Sequence, residues 1–182
     1  MDHSSGLSRT EKLLVALSRG CWIVSTKWLD ACRRASEFVG AHEFTMNHPK
    51  TERGLAFVLK DSIAVARSGG GAGGGRLFHG WEVCVTPSVA KGSLAAVGRI
   101  VAAAGGVIRK VPPNAKLPAL ARGLQHRAIV ADPADADVCA ALRKKEPAVP
   151  IYAFDAVTVG ILRQQLCFGE DFLLGNVKNF SQ

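Results

Sequence analysis

The chain has 182 residues, 48% of them hydrophobic, and a formal net charge of +8. That is enough length and apolar content for one domain or two small ones with a proper core, and the charge favours an acidic partner: nucleic acid, a phosphopeptide or an acidic protein tail. No apolar run reaches the ~18–20 residues of a membrane span and no signal peptide is visible; the five cysteines are scattered without a C-x-x-C pair, as expected of reduced core thiols in an intracellular protein.

Met1 to Leu7 reads as a polar loop. Ser8 and Glu11 spell an S-x-x-E capping box, which predicts a helix starting at Arg9, with Leu13, Leu14 and Leu17 on its inner face and Arg19-Gly20 as its stop. Trp22-Ile23-Val24 reads as a short buried strand. Ser25 or Thr26 then caps a second helix, whose Trp28, Leu29, Cys32 and Ala35 share one face while Arg33, Arg34 and Glu37 face water. Glu43 to Met46 is expected to be a short edge strand, and Asn47 to Arg53 a surface turn. Helical spacing of apolar residues predicts a linker helix over 58–67. Ser68 to Gly75, SGGGAGGG, reads as a flexible linker. It opens no helix and no G-K-[ST] follows, so it is not read as a phosphate loop. His42 and His48 have no third ligand nearby that would make a metal site.

From Arg76 a second unit begins. Gly80 to Val85 alternates as a strand and Thr86-Pro87 closes it. Leu94, Val97, Ile100, Val101 and Ala104 mark an amphipathic helix, ended by Gly105-Gly106. Val107 to Val111 is the next strand, Pro112 to Gln125 a basic loop, and Arg127 to Ala131 a third strand. Asp132-Pro133 caps a helix with Val138, Cys139 and Leu142 inside. Val149 to Tyr152 is a fourth strand, and the last helix begins at Asp155. The order β-α-β-β-α-β-α predicts a mainly parallel sheet with helices on both faces. Phe78 and Trp81 read as core and strand-start packing rather than a base-stacking pair. An internal repeat supports the division: Ile23 to Phe38 aligns with Ile151 to Leu166 at a constant offset of 128, which sets Trp28-Leu29 on Ala156-Val157. Neither H-E-x-x-H, G-x-S-x-G nor a Walker sequence occurs, and no Cys or His stands beside a plausible base, so no enzyme is expected.

R-T-x-K opening a helix (Arg9 to Lys12), V-S ending a strand (Val24-Ser25) and W-L in the next helix (Trp28-Leu29) resemble the tandem BRCT family, most of all the C-terminal BRCT pairs of DNA damage checkpoint mediators. R-L-F-x-G-x-E-V-x-V-T-P (Arg76 to Pro87), Gly105-Gly106 and T-V-G-I-L-R-Q (Thr158 to Gln164) extend the resemblance to the second unit. It implies an α/β fold of tandem BRCT repeats, each a small mainly parallel sheet flanked by helices. Residues 1–46 would be the C-terminal half of a first repeat, 47–75 a linker, and 76–176 the second repeat. The first repeat is N-terminally incomplete, since no strand–turn–helix with a Ser/Thr-Gly pair precedes Arg9; a fragment or a truncated N-terminus is expected. Ala156-Val157 stands where a Trp-Leu-like pair is usual, and Phe154 is expected to compensate.

The resemblance further implies a nuclear phosphoserine-peptide adaptor in the DNA-damage response, needing no cofactor, metal or membrane. Lys12 and Thr10 would hold the phosphate, and Arg9 the peptide main chain or a terminal carboxylate three residues on. Leu14, Pro87 and Val89 would line a pocket for that +3 residue. Without the resemblance, Lys12 is a solvated helix lysine and Leu14 ordinary core. The implied partner is a phosphorylated protein or peptide, a phosphorylated histone tail among them. Two other readings stand beside it: a phosphate-independent protein-interaction scaffold, and DNA binding through Arg109, Lys110, Lys116, Arg122 and Arg127.

Overall fold

The computed structural model describes residues 7–69, 76–91, 93–112 and 114–175. Most of the Gly-rich linker, 70–75, lies outside them.

The first part of the chain is helical. α1 spans Glu11–Ser18, α2 Lys27–Ala35, α3 Pro49–Leu55 and α4 Leu59–Arg67. α1 starts later than the capping box suggests: Thr10 is the cap, its hydroxyl accepting the Leu13 N–H at 3.3 Å, which satisfies one of the amides a helix start leaves unpaired. Trp22-Ile23-Val24 is not a buried strand. Val24 makes one antiparallel bridge to Thr45, and all three residues are half-exposed. The expected edge strand at 43–46 is correspondingly reduced to that bridge, with a 3-10 turn over His42–Phe44 before it. Without neighbouring strands, this stretch has no ladder to extend. Asn47 to Arg53, expected as a turn, is instead mostly α3. Pro49 occupies the first turn, where a missing N–H costs nothing, and His48 Nδ1 accepts the Thr51 N–H at 3.4 Å. The linker helix expected at 58–67 is α4.

The second part is layered. β1 (Trp81–Val85), β2 (Val107–Lys110), β3 (His126–Ala131) and β4 (Ile151–Ala153) form a sheet of order β2-β1-β3-β4 in which every pairing is parallel. Register sets Val83 beside Ile108 and Ala128, and Val130 beside Tyr152. The helices are α5 (Pro87–Lys91), α6 (Leu94–Ala103), α7 (Ala136–Lys145) and α8 (Asp155–Arg163). The short α5 has no counterpart in the sequence reading; Pro87 supplies a φ suited to a helix start, and the N–H and hydroxyl of Ser88 both donate to the buried Asp135 carboxylate, at 2.9 and 2.8 Å. α6 ends at Gly105-Gly106 as expected. Gly105 takes φ +88°, open to glycine without a Cβ penalty, and the Gly106 N–H returns to the Val101 carbonyl at 3.0 Å.

Alternation along the strands divides the core in two. Val83, Val85, Ala128 and Val130 face the larger cluster, built with α1, α4, α6 and α8. Cys84, Ile129 and Ala131 face the smaller, built with α7 and the loop after β2. A parallel sheet needs cover on both faces, and this one has it. Phe78 is fully buried, in keeping with a core role. Cys84, Cys139 and Cys167 are buried free thiols, whereas Cys21 is exposed and Cys32 half-buried, so the core-thiol reading holds for three of the five. Burial pushes the Cys84 thiol up to about 12.

Candidate functional site

α1 is the element shared between the two parts of the chain. Its Leu13, Leu14 and Leu17 are buried in the larger cluster together with Val97 and Ile100 of α6 and Ile161 and Leu162 of α8. α1 packs directly on α4, α6 and α8. At its exposed edge, Arg99 of α6 grips Glu11 through both guanidinium edges, its Nη2 at 3.0 Å from Oε2, and this bond holds the Glu11 carboxyl below the usual range.

The N-terminal turn of α1 brings three of the expected site residues together. Lys12 is exposed, one turn into the helix, with no ion pair among the described residues. Thr10 is spent on the cap, fixing where the first turn points. Arg9 is half-buried: Nη1 donates to Oδ1 of Asp155, the first residue of α8, and lies 3.2 Å from the Thr158 hydroxyl. This places a guanidinium beside an ammonium at the positive end of a helix, across the boundary between α1 and α8. Asp155 and Thr158 were not legible as members of the site. Asp155 announces itself only as a helix-start acid, and its tie to Arg9 spans 146 positions.

The other three expected residues stand apart from that turn. Leu14 is 1% exposed and sits within the core. Pro87 and Val89 lie on α5, which packs on α6, β3 and the 3-10 turn Pro133–Asp135; Pro87 is exposed and Val89 half-buried against the core.

The basic residues considered for DNA are not an unpaired set. Glu82, 0% exposed in β1, accepts Arg109 Nε from β2 and Arg127 Nε from β3, each at 2.7 Å. Arg127 also donates to the Pro118 carbonyl at 2.8 Å, tying down the loop before β3. Burial would raise the Glu82 carboxyl, but the two guanidinium hydrogen bonds outweigh it and hold the group below the ordinary carboxylate value. Two of the five basic positions therefore serve the sheet. Among the described residues no group of three or more His, Cys, Asp or Glu could hold a metal ion, and no helix is long and apolar enough to cross a membrane.

A parallel sheet wrapped by helices, with a second helical unit docked through one shared helix, defines a tandem interaction module whose candidate site lies at the junction. The family can be stated outright. Residues 76–173 match the BRCT domain model, and the chain belongs to the BRCT family. It is 29% identical over 159 residues to human mediator of DNA damage checkpoint protein 1, covering 87% of this chain and 7% of that protein. The rat protein is 28% identical over 173 residues, covering 94% of this chain and 12% of that protein. BRCT-containing protein 1 of Schizosaccharomyces pombe is 31% identical over 100 residues, 54% of this chain and 11% of that protein. The chain thus spans about a tenth of the length of the relatives it matches. The crystal structure of the S. pombe Brc1 BRCT5-BRCT6 domains superposes with a TM-score of 0.67 at 22% identity, covering 88% of this chain and 76% of that one. The fold is accordingly that of a tandem BRCT pair.

Proposed function

We propose that this chain is a phosphoserine-peptide-binding adaptor of the nuclear DNA-damage response, with residues 1–46 the back half of a first repeat, 47–75 the linker and 76–176 the second repeat. The observation that carries the reading is the juxtaposition of Lys12 and Arg9 on the first turn of α1, against α8. Lys12 is a mobile point charge for a phosphate, supported by the helix-start amides; Arg9, oriented by Asp155 and Thr158, keeps further N–H donors for a peptide carbonyl or carboxylate. Thr10 braces the turn. Pro87 and Val89, with Leu14 beneath, are the proposed lining for the +3 residue. The names of the relatives support the DNA-damage setting, and a phosphorylated histone tail is among the partners the reading allows. The phosphate-independent scaffold remains the second reading, favoured by one observation: α2 carries uncovered apolar side chains, Leu29 and Phe38.

The test is a fluorescence-anisotropy titration with a pSer-x-x-aromatic peptide bearing a free C-terminus, beside its unphosphorylated twin. Binding of the phosphopeptide alone is expected, weakened roughly ten- to a hundredfold in Lys12→Met, the scale of a lost hydrogen bond to a charged group. Equal binding of both peptides, or none, would remove phosphate reading from this chain.

A further inference from the structure

α2 shows apolar surface that the described residues leave bare. Leu29 is 61% exposed, Phe38 88% exposed, and no residue of the helix is fully buried. Phe38 stacks on Trp28 with ring centroids 6.0 Å apart, and the Trp28 indole N–H donates to the Val39 carbonyl at 2.9 Å, so the bare aromatic surface is held in place. Fixed apolar side chains of this size on an outer helix mark an interaction surface.

We propose that a second copy of this chain covers that surface, by antiparallel pairing of α2 with α2 about a two-fold axis. The charges choose both the occupant and the orientation. Along the exposed side run Lys27, Asp30, Arg33, Arg34 and, just past the helix, Glu37. A two-fold through the middle of the helix, between Ala31 and Cys32, sets Asp30 opposite Arg33 of the second copy and brings Lys27 to the end where Glu37 lies. The pattern is therefore complementary to itself reversed. A parallel pairing would instead stack Arg33 and Arg34 on their own copies. The residues nearest the axis, Ala31, Cys32 and Ala35, are small and let the helices approach, and Phe38 of each copy extends past its helix end over the first turn of the other. Such an interface is isologous: each contact occurs twice. Nine residues of helix span only about 13–14 Å, so the contact is small and the association weak. The surface is separate from the Arg9–Lys12 turn, and the proposal is independent of phosphopeptide binding.

The experiment is sedimentation velocity on the whole chain over about two decades of concentration, in reducing buffer because Cys21 is exposed. A monomer–dimer equilibrium is expected. Phe38→Glu abolishes the dimer with an unchanged melting temperature, since the side chain is already in water. Asp30→Arg and Arg33→Asp each weaken it by about fivefold, and the double exchange restores it to within about threefold, because the charges meet again in reversed order. A monomer at every concentration, polydisperse assemblies without a discrete dimer, or a double exchange that fails to restore association would each overturn the proposal.

Discussion

α2 and α8 occupy equivalent places in the internal repeat, yet their surroundings are opposite. α8 is buried from Ala156 to Leu162, beneath β4 and against α1 and α4. α2 has no buried residue. The bulkier pair is the one in water: Leu29 is largely exposed, while the smaller Ala156 and Val157 are fully enclosed. Helix sequence alone thus does not decide burial. α8 is covered because a four-stranded sheet precedes it and supplies the surface; α2 follows a single β-bridge, and its apolar stripe finds no sheet to lie on.

The contrast can be broken most forcefully at the sheet. Glu82→Ala leaves two arginines facing an emptied buried site, and breaking a buried ion pair from one side costs about 3–5 kcal/mol; urea denaturation should show the chain near the limit of folding. The same group sets an acid response. Its folded-state pKa lies below the ordinary value of 4.5, so its contribution is complete above that value and fades as pH falls through the folded pKa. Melting temperature measured against pH should drop in that acid window, and Glu82→Gln, already lower at neutral pH, should flatten the drop. Next in size is Ile161→Ala in α8. Ile161 is fully buried, and the loss should be about 2–5 kcal/mol by chemical denaturation. Leu29→Ala in α2 is the matching control, expected within about 0.5 kcal/mol of the parent. Equal losses for Ile161→Ala and Leu29→Ala would mean that α2 is covered in solution, and would erase the distinction.

The layered half was largely legible. Strand alternation, the Gly105-Gly106 stop and the Asp132-Pro133 cap are local signals, and the structure places strands and helices within a few residues of where they point. The first half was less so. The apolar stripe Trp28, Leu29, Cys32 and Ala35 announces a buried face, but burial is a tertiary property and nothing local reveals that its cover is missing. α3 was missed because its cap is a histidine, outside the usual capping set. At the candidate site, Lys12 and Arg9 were readable from R-T-x-K, whereas Asp155 and Thr158 reach them through long-range packing that spacing cannot encode. Glu82 was hidden as one polar residue in an apolar strand, its two arginine partners lying 27 and 45 positions away.

α4 fastens the two parts of the chain to each other before the glycine run begins. Arg67 donates to the Gly20 carbonyl at 3.0 Å and lies over the Trp22 ring, while the Ser62 hydroxyl reaches the Leu162 carbonyl at 2.5 Å and Arg163 reaches back to the Leu55 carbonyl at 2.8 Å. The covalent path through 70–75 is therefore not what keeps the parts in place. That path can be lengthened with a small entropic penalty, because closure cost grows only as the logarithm of loop length. It can even be severed: two polypeptides, one ending after α4 and the other starting at Arg76, have what they need to reassemble as a split protein, and each end so created offers a place to insert a reporter without touching the Arg9–Lys12 turn.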